Sequence, residues 1–383
     1  MSSAEALAAR AIDVVPPDGL ARKLGLGRPL RVKLGVDPTA PDIHLGHTVV
    51  LQKLREFQDA GHTAVLIIGD WTARVGDPSG RSSTRPMLTA DEIAHNATTY
   101  REQAFRILDP ARVEIHTNGE WFEDMGLEGV FRLAATTTVN QLLRREDFAN
   151  RIGENRPISV LELLYPLMQA YDSVMLRADV ELGGTDQLFN LMLGRELQQA
   201  FDQEPQVAMT MPILPGTDGV KRMSKSTGNY VGVGEPPEEQ FGKLMSIPDE
   251  AMALYYALLF PSESADEGSP MERKRRLARL VVTRFHDERA ADEAEAHFNR
   301  VTRDRQAPTD VPDVTIEGDA VHIPALLVDG LGVASRGEAR RLIAQGGVSL
   351  DGERLTELDL PAEALEGRIL RAGKRRYARI VRS

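Results

Sequence analysis

Between residues 31 and 215, short β-branched runs alternate with longer stretches of helical periodicity, and this alternation limits the possible folds more than any other feature. The runs RVKLGV (31–36) and TAVLIIG (63–69) read as buried parallel strands. Between them Val50, Leu54 and Phe57 recur at helical spacing until Gly61 ends the run. That is a β-α-β unit. Further strands are expected at 113–117, 179–184 and 206–214, separated by helices near 89–108, 158–176 and 185–200. Thr89 followed by Glu92 gives the first of these helices a capping box. The fold class is therefore α/β, built on an open, Rossmann-like, doubly wound parallel sheet. Ligands of such sheets bind beyond the carboxyl ends of the strands, so the chemistry is to be sought in the loops that follow them.

Residues 1–230 are expected to form this sheet domain. Residues 231–305 lack strand signals and read as a helical domain, and 306–320 (QAPTDVPDVTIEGDA) read as a linker rich in Pro, Asp and Gly. Charge separates the remainder. The net charge of −11 divides into +3 for residues 321–383, with 11 Lys+Arg against 8 Asp+Glu, and −14 for residues 1–320. A basic appendage on an acidic body is the electrostatic pattern of a module that meets a phosphate backbone, although a charge run is also the ordinary dress of a solvated face. In SRGEARRLIAQGGVSLDGERL (335–355) a short basic helix, a Gly-Gly turn and a strand are expected, with Arg336, Arg340 and Arg341 clustered on or near the helix. Lys374, Arg375 and Arg376 follow in a tail of seven Lys+Arg and no acid between Arg368 and Arg382. The absence of cysteine excludes disulfides, thiolate metal sites and cysteine nucleophiles, and fits a reducing cytosol. No apolar stretch approaches the roughly 18 residues of a membrane span, and the N-terminus has no secretory pattern. The expectation is a soluble, cytoplasmic protein with no membrane partner.

Two loops carry chemistry. The first strand runs into GVDPTAPDIHLGHTVV (35–50), where Asp37-Pro38-Thr39 and Pro41-Asp42 set a rigid turn and His44-Leu45-Gly46-His47 enters a helix. Two His at i,i+3 share one face at a helix N-terminus, so an anion can meet both rings there, and Gly46 lets a flat ring approach the backbone. Alone, an HxxH pair equally reads as a surface pair or a helix cap; as a metal site it lacks a third ligand. The second loop is Lys221-Arg222-Met223-Ser224-Lys225-Ser226-Thr227-Gly228-Asn229, basic and rich in Ser, which as a mobile arm places Lys225 against phosphate oxygens. The spacing of a P-loop is absent from the chain.

HLGH after DPTAPD, followed about 180 residues later by RMSKS, resembles the HIGH and KMSKS signatures of the class I aminoacyl-tRNA synthetases. The segments IGDWTARVGDPSGRSSTRP (68–86), LLYPLMQAYDSV (163–174) and ELGGTDQLFN (181–190) are similar to the bacterial tyrosyl-tRNA synthetase family. Residues 321–383 are similar to its ribosomal-protein-S-four-like RNA-binding module. The resemblance implies that L-tyrosine is activated with ATP and Mg2+ to tyrosyl-adenylate and then transferred to tRNA(Tyr), with no structural metal and no editing domain. It implies that Asp77, Tyr165 and Gln169 hold the ammonium group of tyrosine, that Asp172 accepts from the phenol, and that Gln187 sits near the carboxylate. It places Thr39, His44 and His47 on the ATP phosphates, Asp37 and Gly46 in the nucleotide site, and Gly184 with Asp186 on the ribose. Arg222 and Lys225 of the closing loop reach the pyrophosphate, and Arg81 and Arg85 add positive charge. The family is homodimeric.

The residues themselves favour one part of this independently. Tyr165, Gln169 and Asp172 are spaced four and three apart, so one helix face presents all three beside Leu161, Leu164, Leu167 and Met168. Two departures stand out. Lys33 occupies the place where many bacterial tyrosyl enzymes put a tyrosine hydroxyl beside the substrate phenol, which leaves open whether Lys33 touches substrate. Arg222 replaces the first lysine of KMSKS, keeping the charge in a planar fork, and activity is expected to survive that change. A tryptophan-specific synthetase and a non-catalytic RNA-binding protein on the same fold are the competing readings.

Overall fold

A computed structural model describes residues 3–39, 41–79, 88–225, 227–303, 311–373 and 376–382. Arg81, Arg85, Ser226, Lys374 and Arg375 lie outside the described residues. The chain divides into two compact units, one formed by Met1–Pro236 with Lys243–Leu277 and the other by Pro237–Gly242 with Ala278–Ser383. The division falls inside the helical stretch expected at 231–305, not at its ends.

The first unit is built on six strands, β1 (Asp13–Val15), β2 (Arg31–Val36), β3 (Thr63–Ile68), β4 (Val113–Thr117), β5 (Val180–Gly184) and β6 (Val207–Met211), in the order β1-β6-β5-β2-β3-β4. Every neighbouring pair is parallel except β1 with β6. The five parallel strands fall where the sequence runs placed them; Ala64 to Ile68 of the inner strand β3 are all sealed from solvent, while the edge strand β4 is half-buried throughout. β1 was not expected. Its three residues DVV are too short to show a pattern, and only pairing with β6 defines them.

From β2 the sheet grows one way through β3 and β4 and the other way through β5 and β6. The order therefore reverses between β2 and β5, and the crevice beyond their carboxyl ends is the expected ligand site. Three helices border it. Leu45–Asp59 follows β2 and buries Leu45, Val49, Leu51, Leu54 and Phe57. Ala90–Ala104 starts at the Thr89–Glu92 capping box, in which Thr89 N–H donates to Glu92 Oε2 at 2.9 Å. Val160–Leu176 starts at a second box, Ser159 with Glu162, and packs Leu167, Ala170, Val174 and Leu176 into a cluster that includes Val65 and Ile67 of β3. The helix Leu188–Ala200 follows β5 after a single 3-10 turn. Residues 231–305 contain the helices Pro237–Met245, Met252–Leu259, Pro270–Phe285 and Glu288–Phe298.

In the second unit a five-stranded sheet and a two-stranded pair share one apolar core. The expected linker 306–320 is corrected here: Asp313–Ile316 is a strand, parallel to the last strand Arg376–Arg382, with Ile316 buried. The Pro and Asp around it masked a β-branched alternation that only the partner strand makes visible. The helix Arg336–Ala344, the turn at Gly346 and Gly347, and the strand Val348–Leu350 follow as expected, with Gly346 at φ +73°. Among the described residues no helix is long and apolar enough to cross a membrane.

Candidate active site

A cleft of about 460 Å³ opens beyond the carboxyl ends of β2 and β5. Every residue expected in the amino-acid and nucleotide sites lines it: Asp37, Thr39, His44, Gly46, His47, Asp77, Tyr165, Gln169, Asp172, Gly184, Asp186, Gln187, Arg222 and Lys225. Two loops distant in sequence meet there because the segment after the basic loop pairs with the segment before the helix. Leu45 N–H donates to the Val231 carbonyl at 3.0 Å and Val233 N–H to that of Ile43 at 2.8 Å.

At one end the two histidines cap the helix Leu45–Asp59. Gly46 N–H donates to His44 Nδ1, and His44 N–H to His47 Nδ1, each at 3.2 Å. A backbone N–H can only donate, so both Nδ1 atoms are acceptors and both neutral rings carry their proton on Nε2. The rings lie against each other with centroids 3.8 Å apart and planes tilted by 30°. Burial first, then the charge of His47, Lys225 and Arg222, pushes His44 down to about 2; burial, then Lys225 and Arg222, pushes His47 down to about 4. The cap and the site are thus one structure, and near neutral pH it presents two uncharged donors. Gly46 has a further reason to be glycine, since a Cβ there would lie 3.0 Å from the His44 ring.

The basic loop is held by acids at the same end. Lys225 Nζ lies 2.6 Å from Asp42 Oδ2, and Arg222 Nη1 lies 3.0 Å from Asp186 Oδ2. Burial, then Asp77, raises the Asp186 carboxyl above its ordinary range.

The other end is a connected polar network. Tyr165 Oη donates to Asp37 Oδ2 at 2.9 Å, and Thr72 Oγ1 donates to Asp37 Oδ1 at 2.7 Å, so Asp37, expected among the nucleotide residues, holds Tyr165. Gln187 Nε2 donates to Asp77 Oδ2 at 2.7 Å. Asn190 Nδ2 donates to Gln169 Oε1 at 2.8 Å and to Gln187 Oε1 at 3.1 Å. Buried Arg145 ties these together, donating to Asn190 Oδ1 and Ser79 Oγ, each at 2.7 Å, and pairing with Asp77 at 3.5 Å and Asp147 at 3.0 Å. Asp172 accepts from Trp121 Nε1 at 3.0 Å and Asn118 Nδ2 at 3.5 Å. Burial raises its carboxyl to about 7 against the pull of Lys33 and these two donors. Lys33 itself is buried against Glu181.

Sequence reasoning missed Arg145, Asn190, Asn118, Trp121, Ser79 and Glu181. Only Glu181 left a signal, as a carboxylate between the apolar residues Val180 and Leu182 of a strand candidate. Arg145 sits between two short helices and acquires its role through tertiary contacts alone. In the second unit Arg336, Arg340, Arg341 and Arg376 are exposed.

A parallel sheet with a paired-histidine helix start after one strand and a basic loop after the last defines a class I aminoacyl-tRNA synthetase. Comparison with known families agrees: the family described as "tRNA synthetases class I (W and Y)" matches residues 26–302, and "Tyrosine--tRNA ligase SYY-like C-terminal domain" matches residues 305–380. The tyrosine–tRNA ligase of Moorella thermoacetica is 53% identical over 383 aligned residues, covering 96% of this chain and 93% of that protein. That of Thermotoga maritima is 51% identical over 380, covering 96% and 94%. Among solved structures, the tyrosyl-tRNA synthetase of Archaeoglobus fulgidus complexed with L-tyrosine superposes with a TM-score of 0.64 at 24% identity, over 75% of this chain and 98% of that one, and shows the shared fold. The chain belongs to the tyrosine–tRNA ligase family. Relatives alike in half their residues over nearly the full length are tyrosine enzymes, which sets the tryptophan reading aside.

Proposed function

We propose that the two ends of the cleft divide the labour of tyrosine activation, which is the activity of this enzyme family. The observation that carries the proposal is the pair of backbone N–H groups that donate to both histidine Nδ1 atoms and so assign the tautomer. Two neutral Nε2–H groups, fixed by backbone donors, give hydrogen bonds to phosphate oxygens without either ring having to become a charged imidazolium. In this reading the carboxylate of tyrosine attacks the α-phosphate of ATP, which enters with its Mg2+, and pyrophosphate leaves. Thr39, His44 and His47 bind the phosphates, and Lys225 and Arg222 leave Asp42 and Asp186 to meet the departing pyrophosphate. Asp186 is then released to the ribose beside Gly184, while Gly46 lies against adenine. Asp77, Tyr165 and Gln169 receive the ammonium group, Asp37 orienting Tyr165; Gln187 faces the carboxylate and Asp172 the phenol. No enzyme nucleophile is needed, and catalysis rests on positioning and on charge stabilisation that grows in the transition state.

His44→Asn tests this cleanly, because Asn is itself a good N-cap and preserves the helix start. Tyrosine-dependent pyrophosphate exchange should fall by about 100-fold or more, as for loss of one transition-state donor, with tyrosine affinity unchanged. A parallel loss of tyrosine affinity in an equilibrium titration would count against the assignment.

The exposed arginines Arg336, Arg340, Arg341 and Arg376 of the second unit are proposed to contact the backbone of tRNA(Tyr), together with Lys374 and Arg375, and the helical stretch 231–305 to face its anticodon side. A homodimer is proposed on a separate observation. In the helix Leu127–Ala134, Leu127 is 66% and Phe131 62% exposed at i,i+4 spacing, and Val139, Ile152 and Val160 nearby in sequence are exposed as well. We place the enzyme in the cytoplasm, where its cysteine-free sequence and its tRNA substrate fit together.

A further inference from the structure

Beneath the phenol end of the cleft lies a buried polar cluster that none of these roles uses. Lys33 and Glu181 are register partners on the adjacent parallel strands β2 and β5, so their side chains leave the same face of the sheet. They are sealed from solvent, at 0% and 1% exposure. Lys33 Nζ donates to Glu181 Oε1 at 2.9 Å, to the Gln169 carbonyl at 2.8 Å and to Ser173 Oγ at 2.8 Å. An ammonium group has three protons, so these partners account for all of them. None remains for a substrate hydroxyl.

Glu181 completes the grip. It accepts from Gln169 Nε2 at 3.2 Å, from Ser173 Oγ at 3.0 Å and from Gln206 Nε2. The pair therefore holds the helix Val160–Leu176 at two positions one turn apart, 169 and 173, which flank Asp172. It also fixes the sense of the Gln169 amide. Only the NH2 group can face the carboxylate, which leaves Oε1 for Asn190.

We propose that Lys33 is a positioning residue for amino-acid selection: with Glu181 it clamps the Gln169–Ser173 turn to the centre of the sheet, so that Asp172 alone reads the phenol and Lys33 never touches it. The inference rests on the assignment of Asp172 to the phenol made above. It accounts for the departure seen in the sequence, because a lysine here substitutes for no substrate contact and instead stiffens the element that makes one. Phenylalanine would leave the buried Asp172 carboxylate without its partner, and that penalty persists only while the turn cannot shift to relieve it.

Two variants test the clamp. Lys33→Met alone would strand a buried carboxylate, so it is combined with Glu181→Gln, whose amide oxygen still accepts a hydrogen bond. Ser173→Ala keeps both charges and removes one grip. Pyrophosphate exchange is measured with tyrosine and with phenylalanine, alongside the urea midpoint. In the double variant the tyrosine KM should rise about tenfold and the preference for tyrosine over phenylalanine fall about tenfold, the factor of one net hydrogen bond, while the ATP KM and kcat at saturating tyrosine stay within about twofold. Ser173→Ala should move both in the same direction by about threefold, and it decides alone if the double variant does not fold. A folded variant with unchanged preference overturns the inference. So does an equal rise in the KM of tyrosine and of ATP, which would mark general loosening. Asp172→Asn separates the two layers. If it leaves the preference for tyrosine intact, the phenol assignment fails; if it abolishes the preference while the clamp variants keep it, only the role of Lys33 fails.

Discussion

Asp172→Asn should make the free enzyme more stable at the pH where it works while destroying its selectivity. Burial raises this carboxyl from 3.8 to about 7, so ionising it in the folded protein opposes folding. For a group with a raised folded pKa, the protonated form favours the folded state. That contribution is complete below about pH 4, is lost as pH climbs to about 7, and stays lost above it. Three pH units at ~1.4 kcal/mol each amount to ~4 kcal/mol. Asn offers one acceptor where the carboxylate offers two, so its oxygen turns to Trp121 at 3.0 Å and the longer bond from Asn118 at 3.5 Å is lost, at about 1 kcal/mol. The net gain above pH 8 is then ~3 kcal/mol, or about 1 M in the urea midpoint for an m-value of ~3 kcal/mol/M. The two tryptophans, Trp71 and Trp121, both lie in the first unit, so their fluorescence follows the unfolding of the unit that carries the cleft. The variant midpoint should lie slightly below that of wild type near pH 4, cross it within about one pH unit and draw steadily ahead up to pH 7. Tyrosine should shift the wild-type midpoint and leave that of the variant in place. A variant less stable than wild type at pH 8.5, or a difference that does not change with pH, would refute the reasoning.

Three further outcomes follow from other contacts. Arg145→Met should destabilise the first unit by about 3–5 kcal/mol, because it strands Asp77 and Asp147, and raise the tyrosine KM by more than the ATP KM; thermal melts and pyrophosphate exchange read both. Replacing Arg336, Arg340 and Arg341 by Glu should weaken tRNA charging and flatten its salt dependence while sparing adenylate formation, which filter-bound charging at several salt concentrations will show. Phe131→Glu should convert a dimer to monomers in light scattering, since a charge at the centre of an apolar contact costs several kcal/mol without a partner; an unchanged mass would remove that helix from the interface.

Much of the fold was legible because the information was local. The five parallel strands were visible as short runs between helical patterns, and the face shared by Tyr165, Gln169 and Asp172 followed from helical spacing alone. What was illegible is set by partners distant in sequence. β1 is three residues long and defined by its pairing with β6. The strand Asp313–Ile316 hides among turn-forming residues until Arg376–Arg382 lies beside it. Arg145 carries no periodic signal, yet it anchors residues from three elements. The role of Lys33 was undecidable from sequence for a similar reason. Whether its ammonium faces substrate or framework depends on the register of β2 against β5, which brings Glu181 alongside.

The two ends of the cleft solve opposite electrostatic problems. In the reading proposed above, ATP brings several negative charges to histidines that are neutral, and the positive charge is kept on a loop where Lys225 pairs with Asp42 and Arg222 with Asp186. Permanent cations buried at that point would repel one another and hold pyrophosphate after the reaction. The phenol brings no charge, and there the protein buries its own: Asp172, Lys33 and Glu181 are all sealed from solvent. An apolar pair of similar volume in place of Lys33 and Glu181 would often be as stable or more so, so stability alone is a poor reason for the ion pair. Direction is a better one. Apolar contacts hold a helix against a sheet without fixing its rotation, whereas four charge-assisted bonds to residues 169 and 173 leave Asp172 one place to point.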